Sequence, residues 1–137
     1  MKRTFAILGL MLVLAAPARG AAPSERTFAA PVDRVWTTTE AVLKHLGWDI
    51  DKADKSIGFI TTESRRVDGD NYGVYEKALR HRLQLHLKAA GDGKTLVSIE
   101  RTVFKRERIL FVDKDEPISD PSQAVEKAVL DAIGTAL

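Results

Sequence analysis

The chain of 137 residues contains no cysteine. That excludes a disulfide framework, a thiol nucleophile and any zinc site built on thiolates. It also excludes the acylated cysteine of a bacterial envelope lipoprotein, so no lipid anchor is expected. The longest apolar run, FAILGLMLVLAA at 5–16, has twelve residues, and crossing a bilayer takes about 20. No Gly-rich phosphate loop follows a strand pattern, and no G-x-S-x-G nucleophile elbow occurs. There are three histidines, His45, His81 and His86. Two of them point to opposite faces of one predicted strand and the third lies at a helix end, so they do not converge on a metal. There is no internal repeat and no low-complexity block.

Residues 1–20 open with a basic Met1-Lys2-Arg3, continue through the apolar run and end in small residues at Ala18 and Gly20. This is the pattern of a secretory signal peptide. The expected organisation is a signal at 1–20, a flexible entry at 21–25 and one domain at 26–137, located in the periplasm or secreted. A mature chain of about 115 residues is long enough to bury a core without covalent staples. The full chain has 21 Lys+Arg and 19 Asp+Glu; removing 1–20 takes Lys2, Arg3 and Arg19 and no acid, which turns a formal +2 into −1. A domain without net basic charge is not expected to bind nucleic acid.

Hydrophobic spacing predicts the elements. A short strand at 26–29 precedes a helix at 31–46 (PVDRVWTTTEAVLKHL), whose apolar stripe is Val32, Val35, Trp36, Thr39, Leu43 and Leu46. Pro31 suits the first turn, Lys44 and His45 suit the last, and Gly47 suits the position just past the end. Strands follow at 48–54 and 57–65. The segment 79–89 (LRHRLQLHLKA) alternates strictly, with Leu79, His81, Leu83, Leu85 and Leu87 on one face. Gly91-Asp92-Gly93-Lys94 signals a hairpin turn. The partner strand is expected at 95–105, with Arg101 interrupting its apolar face. KRER at 105–108 reads as a charged edge and ILFV at 109–112 as a last short strand. A final helix, capped by Ser119 or Asp120 with Pro121 in its first turn, presents Ala124, Val125, Ala128, Val129, Ala132 and Ile133. One apolar face per strand and one stripe per helix predict a two-layer α+β fold, a curved antiparallel sheet with both helices on one face.

The stretch FAAPVDRVWTTTEAVLKHLGWDIDKADKSIGFITTE resembles the opening of helix-grip domains. It is most similar to a domain of the BamC-type lipoproteins, accessory subunits of the outer-membrane β-barrel assembly machinery, and more distantly to START-like ligand-binding domains. The resemblance covers residues 26–63, with the remainder matching in strand order. It implies a helix-grip fold and an accessory role in envelope assembly. It gives core and turn roles to Val35, Trp36, Gly47, Gly58 and Ile60, and carries over no catalytic residue.

Residues 67–77 (VDGDNYGVYEK) read as a long polar connection at the mouth of the fold. Counted from Asp68 as a calcium loop, Asp70 and Gly73 fall in place, but Tyr72 and Leu79 occupy two ligand positions. No metal and no cofactor is therefore expected. Tyr72 and Tyr75 suit a contact rim. Arg65, Arg66 and Arg106 lie near strand ends with Arg80, Arg82, Lys105 and Arg108. They form either a patch for an envelope protein or membrane-surface component or a solvated face balanced by Glu63, Glu100 and Glu107. His81 and Arg101 interrupt apolar faces and need buried acceptors or the polar end of a ligand. The leading expectation is a non-enzymatic interaction module that contacts its partner through Tyr72, Tyr75, Arg65, Arg66 and Arg106. The alternative is a START-like carrier holding an apolar ligand between the last helix and the sheet, oriented by His81 or Arg101. A weaker third reading is an enzyme with His81 as base.

Overall fold

A computed structural model describes residues 23–137. The predicted signal and the first residues of the entry segment lie outside the described residues. The elements, in chain order, are β1 (Ser24–Phe28), α1 (Val32–His45), β2 (Ile50–Asp54), β3 (Phe59–Thr62), β4 (Arg65–Asn71), β5 (Tyr75–Ala89), β6 (Thr95–Ile109), β7 (Val112–Ile118) and α2 (Ala124–Ala136). The seven strands form one antiparallel sheet with the central order β1-β6-β5-β3-β2; β4 adds to β5 and β7 adds to β6. This is the expected α+β architecture of a curved antiparallel sheet and two helices.

Helix α1 is fixed at both ends by local chemistry. Pro31 is extended and stands just before the first turn, where its carbonyl accepts from Arg34 and Val35. At the other end Gly47 has φ +82°, its N–H bonds to Lys44 O, and the Trp48 N–H reaches back to Leu43 O. That pair of bonds is a Schellman stop, which needs a residue that tolerates left-handed backbone. It turns the chain so that Trp48 enters the core, where it is buried beside Leu43. Gly58 has a different reason to be glycine. Its carbonyl accepts from the Leu87 N–H, and a Cβ there would lie 2.0 Å from the Leu87 carbonyl oxygen.

The core lies between the helices and one face of the sheet. Val35, Trp36 and Leu43 of α1 and Val129, Leu130 and Ile133 of α2 meet Ile60, Leu83, Leu85, Leu87, Val97 and Ile99 of the strands. Each fully buried aliphatic side chain contributes about 1.5–3 kcal/mol relative to exposure.

The dominant element is the β5–β6 hairpin, paired without interruption from Ala89↔Thr95 to Tyr75↔Ile109. Each strand has 15 residues, about 50 Å at the usual rise per residue. The helices have 14 and 13 residues and are about 20 Å long. They cover only the half of the hairpin near Ala89 and Thr95. The other half, flanked by β4 and β7, projects as a four-stranded arm.

The arm departs from the sequence expectations, and the reason is visible in its side chains. Residues 67–77 are not a long connection: they supply most of β4, a tight turn and the start of β5. KRER is not an edge, because Lys105–Arg108 pair with β5 on one side and β7 on the other. ILFV is not a strand. It spans the end of β6, a two-residue turn and the start of β7. Helix α2 begins at Ala124, after Gln123, so Ser119 and Asp120 precede it.

Without helices to cover it, the arm uses cross-strand charge rows, and on one face Glu76, Ala78 and Phe104 are buried, with Arg80 and Arg108 at Glu76 and Arg82 and Arg106 over the Phe104 ring. Asp70, Lys77, Glu107 and Lys114 stand in register across the four strands. So do Asn71, Glu76, Arg108 and Asp113 in the adjacent row. Opposite charges directly across strands stabilise pairing by roughly 0.2–1 kcal/mol each. The exposed edge strand β7 has four charged residues in succession, Asp113 to Glu116, followed by Pro117, which discourages further strand addition.

Candidate functional site

Two clusters stand out, one inside the fold and one at the end of the arm.

The interior cluster joins the sheet to α2. Arg101 is 7% exposed and holds Glu126 at 3.1 Å and Asp120 at 2.6 Å. These two carboxylates occupy the positions that an anionic ligand would take. The His81 ring lies between two guanidiniums: Arg65 Nε is 3.3 Å from His81 Nε2, and Arg101 Nη1 is 3.3 Å from Nδ1. A neutral imidazole has a single lone pair for such donors, so it accepts from one guanidinium at a time. Burial, then the charges of Arg101 and Arg65, push the His81 pKa down to about 4, against a smaller upward pull from Asp120. The Arg65 guanidinium carbon lies over the Trp48 ring, 3.7 Å from its centroid, and Arg65 donates to Leu46 O at 2.9 Å. Arg65 therefore knits β4 to the end of α1.

Sequence reasoning missed Glu126. The signal was present: Glu126, Leu130 and Ile133 share one face of α2 and are all buried. An acid inside a helix stripe and Arg101 inside a strand stripe are two interruptions that answer each other.

The second cluster is apolar and exposed. At the far end of the arm the β4–β5 turn and the β6–β7 turn lie side by side. Tyr72 is 74% exposed, Leu110 64% and Phe111 77%; Tyr75, Ile109 and Val112 are also exposed. Ile109 pairs with Val112, which leaves Leu110 and Phe111 as the two central residues, with φ of 51° and 66°. A two-residue turn of this hand normally carries Asn-Gly, because both positions are left-handed. Holding an ordinary side chain in that conformation costs about 1–2 kcal/mol per residue.

The backbone beneath these side chains is well tied. Phe111 N donates to Val74 O across the two turns, Tyr72 N to Tyr75 O, and Gly73 N to Asn71 Oδ1. Behind the tip, Arg108 makes a fork with Asp113 (2.6 and 3.2 Å) and Arg106 with Asp115 (2.9 and 3.0 Å). Those hydrogen bonds hold the Asp113 and Asp115 carboxyls below their ordinary range. Glu76 is buried against Arg80 and Arg108. The arm is a stiff support ending in bulky apolar side chains.

The five residues expected to meet a partner do not form one surface. Tyr72 and Tyr75 are at the tip. Arg106 is three residues from the tip row and is engaged by Asp115. Arg66 pairs with Arg80, five residues from Tyr75 along β5, about 17 Å away. Arg65 is on the helix side, against Trp48. The residues that sequence reasoning did not single out are Leu110 and Phe111. Their signal was an apolar pair between two charged stretches that pair with each other.

The strain gives a direct expectation. Replacing Leu110→Asn and Phe111→Gly supplies the residues that the turn geometry favours and removes little packing, since both side chains are exposed. The double variant should be more stable by about 1–3 kcal/mol, a rise in melting temperature on the order of 5–10 °C. A lower melting temperature would show that the two side chains hold the arm together.

Comparison with protein-family models finds no match, and comparison with curated proteins finds none. Among solved structures, the chain is similar to the adenylate sensor from AMP-activated protein kinase, in a complex with the nucleotide ZMP. The two are 9% identical with a TM-score of 0.48, over 81% of this chain and 92% of that one. A likeness of this size carries no argument about function.

Proposed function

We propose that the protein is a non-enzymatic interaction module of the cell envelope that docks through the tip of its long hairpin. The observation that carries this reading is the pair Leu110 and Phe111, held exposed in left-handed backbone at the end of an arm braced by ion pairs. Strain of this kind collects at functional positions, and an exposed apolar patch on an otherwise charged surface marks an interaction site. The signal-like residues 1–20 favour an extracytoplasmic location. The carrier alternative asks for space between α2 and the sheet. Val129, Leu130 and Ile133 fill that layer against Val97, Ile99 and Leu83, and Arg101 is taken by Glu126 and Asp120. Both observations favour docking over carriage.

The test is co-purification from crosslinked cells. The wild-type protein should bring down an envelope component, and the Leu110→Asn/Phe111→Gly variant should come out at least tenfold depleted in it while remaining folded. An undiminished complex in that variant would remove the tip from the account.

A further inference from the structure

We infer that the surface on which the tip docks is the headgroup–acyl boundary of a lipid bilayer. This rests on the docking reading above and names its partner class.

The geometry of the tip separates a bilayer from a protein. A stable protein interface uses about 20–30 residues a side. The tip offers six apolar side chains, Tyr72, Tyr75, Ile109, Leu110, Phe111 and Val112, at the end of two hairpin turns. That is too little area for a stable dimer or a firm protein complex. A fluid lipid interface needs no shape match and is entered by a few apolar groups. The arrangement of types also fits. The apex is Leu110-Phe111, with Tyr72 in the neighbouring turn and Tyr75 at the start of β5 just after it. Tyrosine, apolar at one end and polar at the other, favours the headgroup level.

Part of the backbone at the tip is prepared for such a place, while the Leu110 and Val74 N–H groups have no partner among the described residues. Polar main-chain groups entering lipid must already be bonded. At the tip the Phe111, Tyr72 and Gly73 N–H groups have partners within the chain, and the Gly73 carbonyl accepts from Arg108.

Charge then selects the kind of lipid. The two rows behind the tip contain Lys77, Lys114 and Arg108 against Asp70, Glu107, Glu76 and Asp113. Such alternating rows have no excess of cations to attract an anionic surface, and they match a zwitterionic one, which presents both signs. Binding should therefore be insensitive to salt and need no anionic lipid.

The experiment is flotation of the purified mature protein with phosphatidylcholine vesicles. The wild type is expected to float, equally at low and high salt. The Leu110→Asn/Phe111→Gly variant, which relieves the turn and so keeps the fold, is expected to lose binding by roughly tenfold or more. A Phe111→Trp variant should show a blue shift of emission with the same vesicles. Three results overturn the inference: no flotation of the wild type, flotation that requires anionic lipid and disappears with salt, or a tip-dependent dimer in sedimentation without vesicle binding. If the vesicle result is negative while the co-purification of a protein still depends on the tip, the lipid assignment fails and the docking module stands. If neither depends on the tip, both fail.

Discussion

Replacing Arg101 with methionine is expected to destabilise the protein by about 3–5 kcal/mol, the range for breaking a buried ion pair from one side. The substitution keeps an unbranched apolar stem and removes the charged head. It leaves Glu126, buried on α2 at 4% exposure, without the guanidinium that neutralises it. Asp120 is 36% exposed and can return to water, so the loss concentrates on Glu126. For a domain of this size the melting temperature should fall on the order of 15 °C or more. The paired variant Arg101→Met/Glu126→Leu removes both charges and should recover most of the loss, because two apolar side chains fill the same space without desolvated charge. Thermal melts of the three proteins check this. A double variant no more stable than the single would mean that the pair contributes through something other than charge compensation.

The second large effect is a pH dependence centred on His81. Its folded pKa of about 4 lies below the ordinary 6.5, so the unfolded chain binds the proton more readily. The stability associated with neutral His81 is complete above pH 6.5. It declines as pH falls from 6.5 through about 4, and this group adds no further loss below that. The whole difference amounts to up to about 3 kcal/mol. The cause is burial first and the neighbouring positive charges second. The ring is packed on Trp48 at 4.7 Å between centroids, faces Arg65 and Arg101 at its two nitrogens, and has Asp120, which pairs with Arg101, as an opposing charge. Asp120 and Glu126 reach it through Arg101. A proton on the ring places a third positive charge between two guanidiniums. Chemical denaturation at a series of pH values should therefore show a slope between pH 6.5 and 4 in the wild type, flattened in His81→Gln. An equal slope in both proteins would assign the dependence to other groups.

Much of the covered half of the fold was legible in the sequence. The α1 positions Val35, Trp36, Thr39 and Leu43, Gly47 as the stop, the alternation of Leu83, Leu85 and Leu87, and the placement of His81 and Arg101 on the helix-facing side follow from periodicity, and the structure has each of them; Leu46, expected in the α1 stripe, is exposed, and Val42, not expected there, is buried. The uncovered half was not legible by the same rule. Apolar alternation reports burial on one face. Beyond Leu79 no helix covers the strands of the arm, and the buried positions there, Glu76 and Ala78, make no apolar stripe, so β4, the first residues of β5 and all of β7 resemble loop or charged edge. Their pairing is encoded in cross-strand charge instead, as in Asp70, Lys77, Glu107 and Lys114. Leu110 and Phe111 misled for the opposite reason. Apolar residues normally mark strands, and here they occupy a turn whose geometry disfavours them.

The tip of the arm is the surface proposed to meet the partner. The most direct test is a photo-activatable side chain placed in cells at position 72, beside Phe111, and separately at Lys88, near the opposite end of the same hairpin. Docking through the tip should give capture of a defined envelope component, protein or lipid, from position 72 and none from position 88, with capture lost when Leu110→Asn/Phe111→Gly is added. Capture from position 88 alone, or from position 72 undiminished by the turn variant, would contradict it.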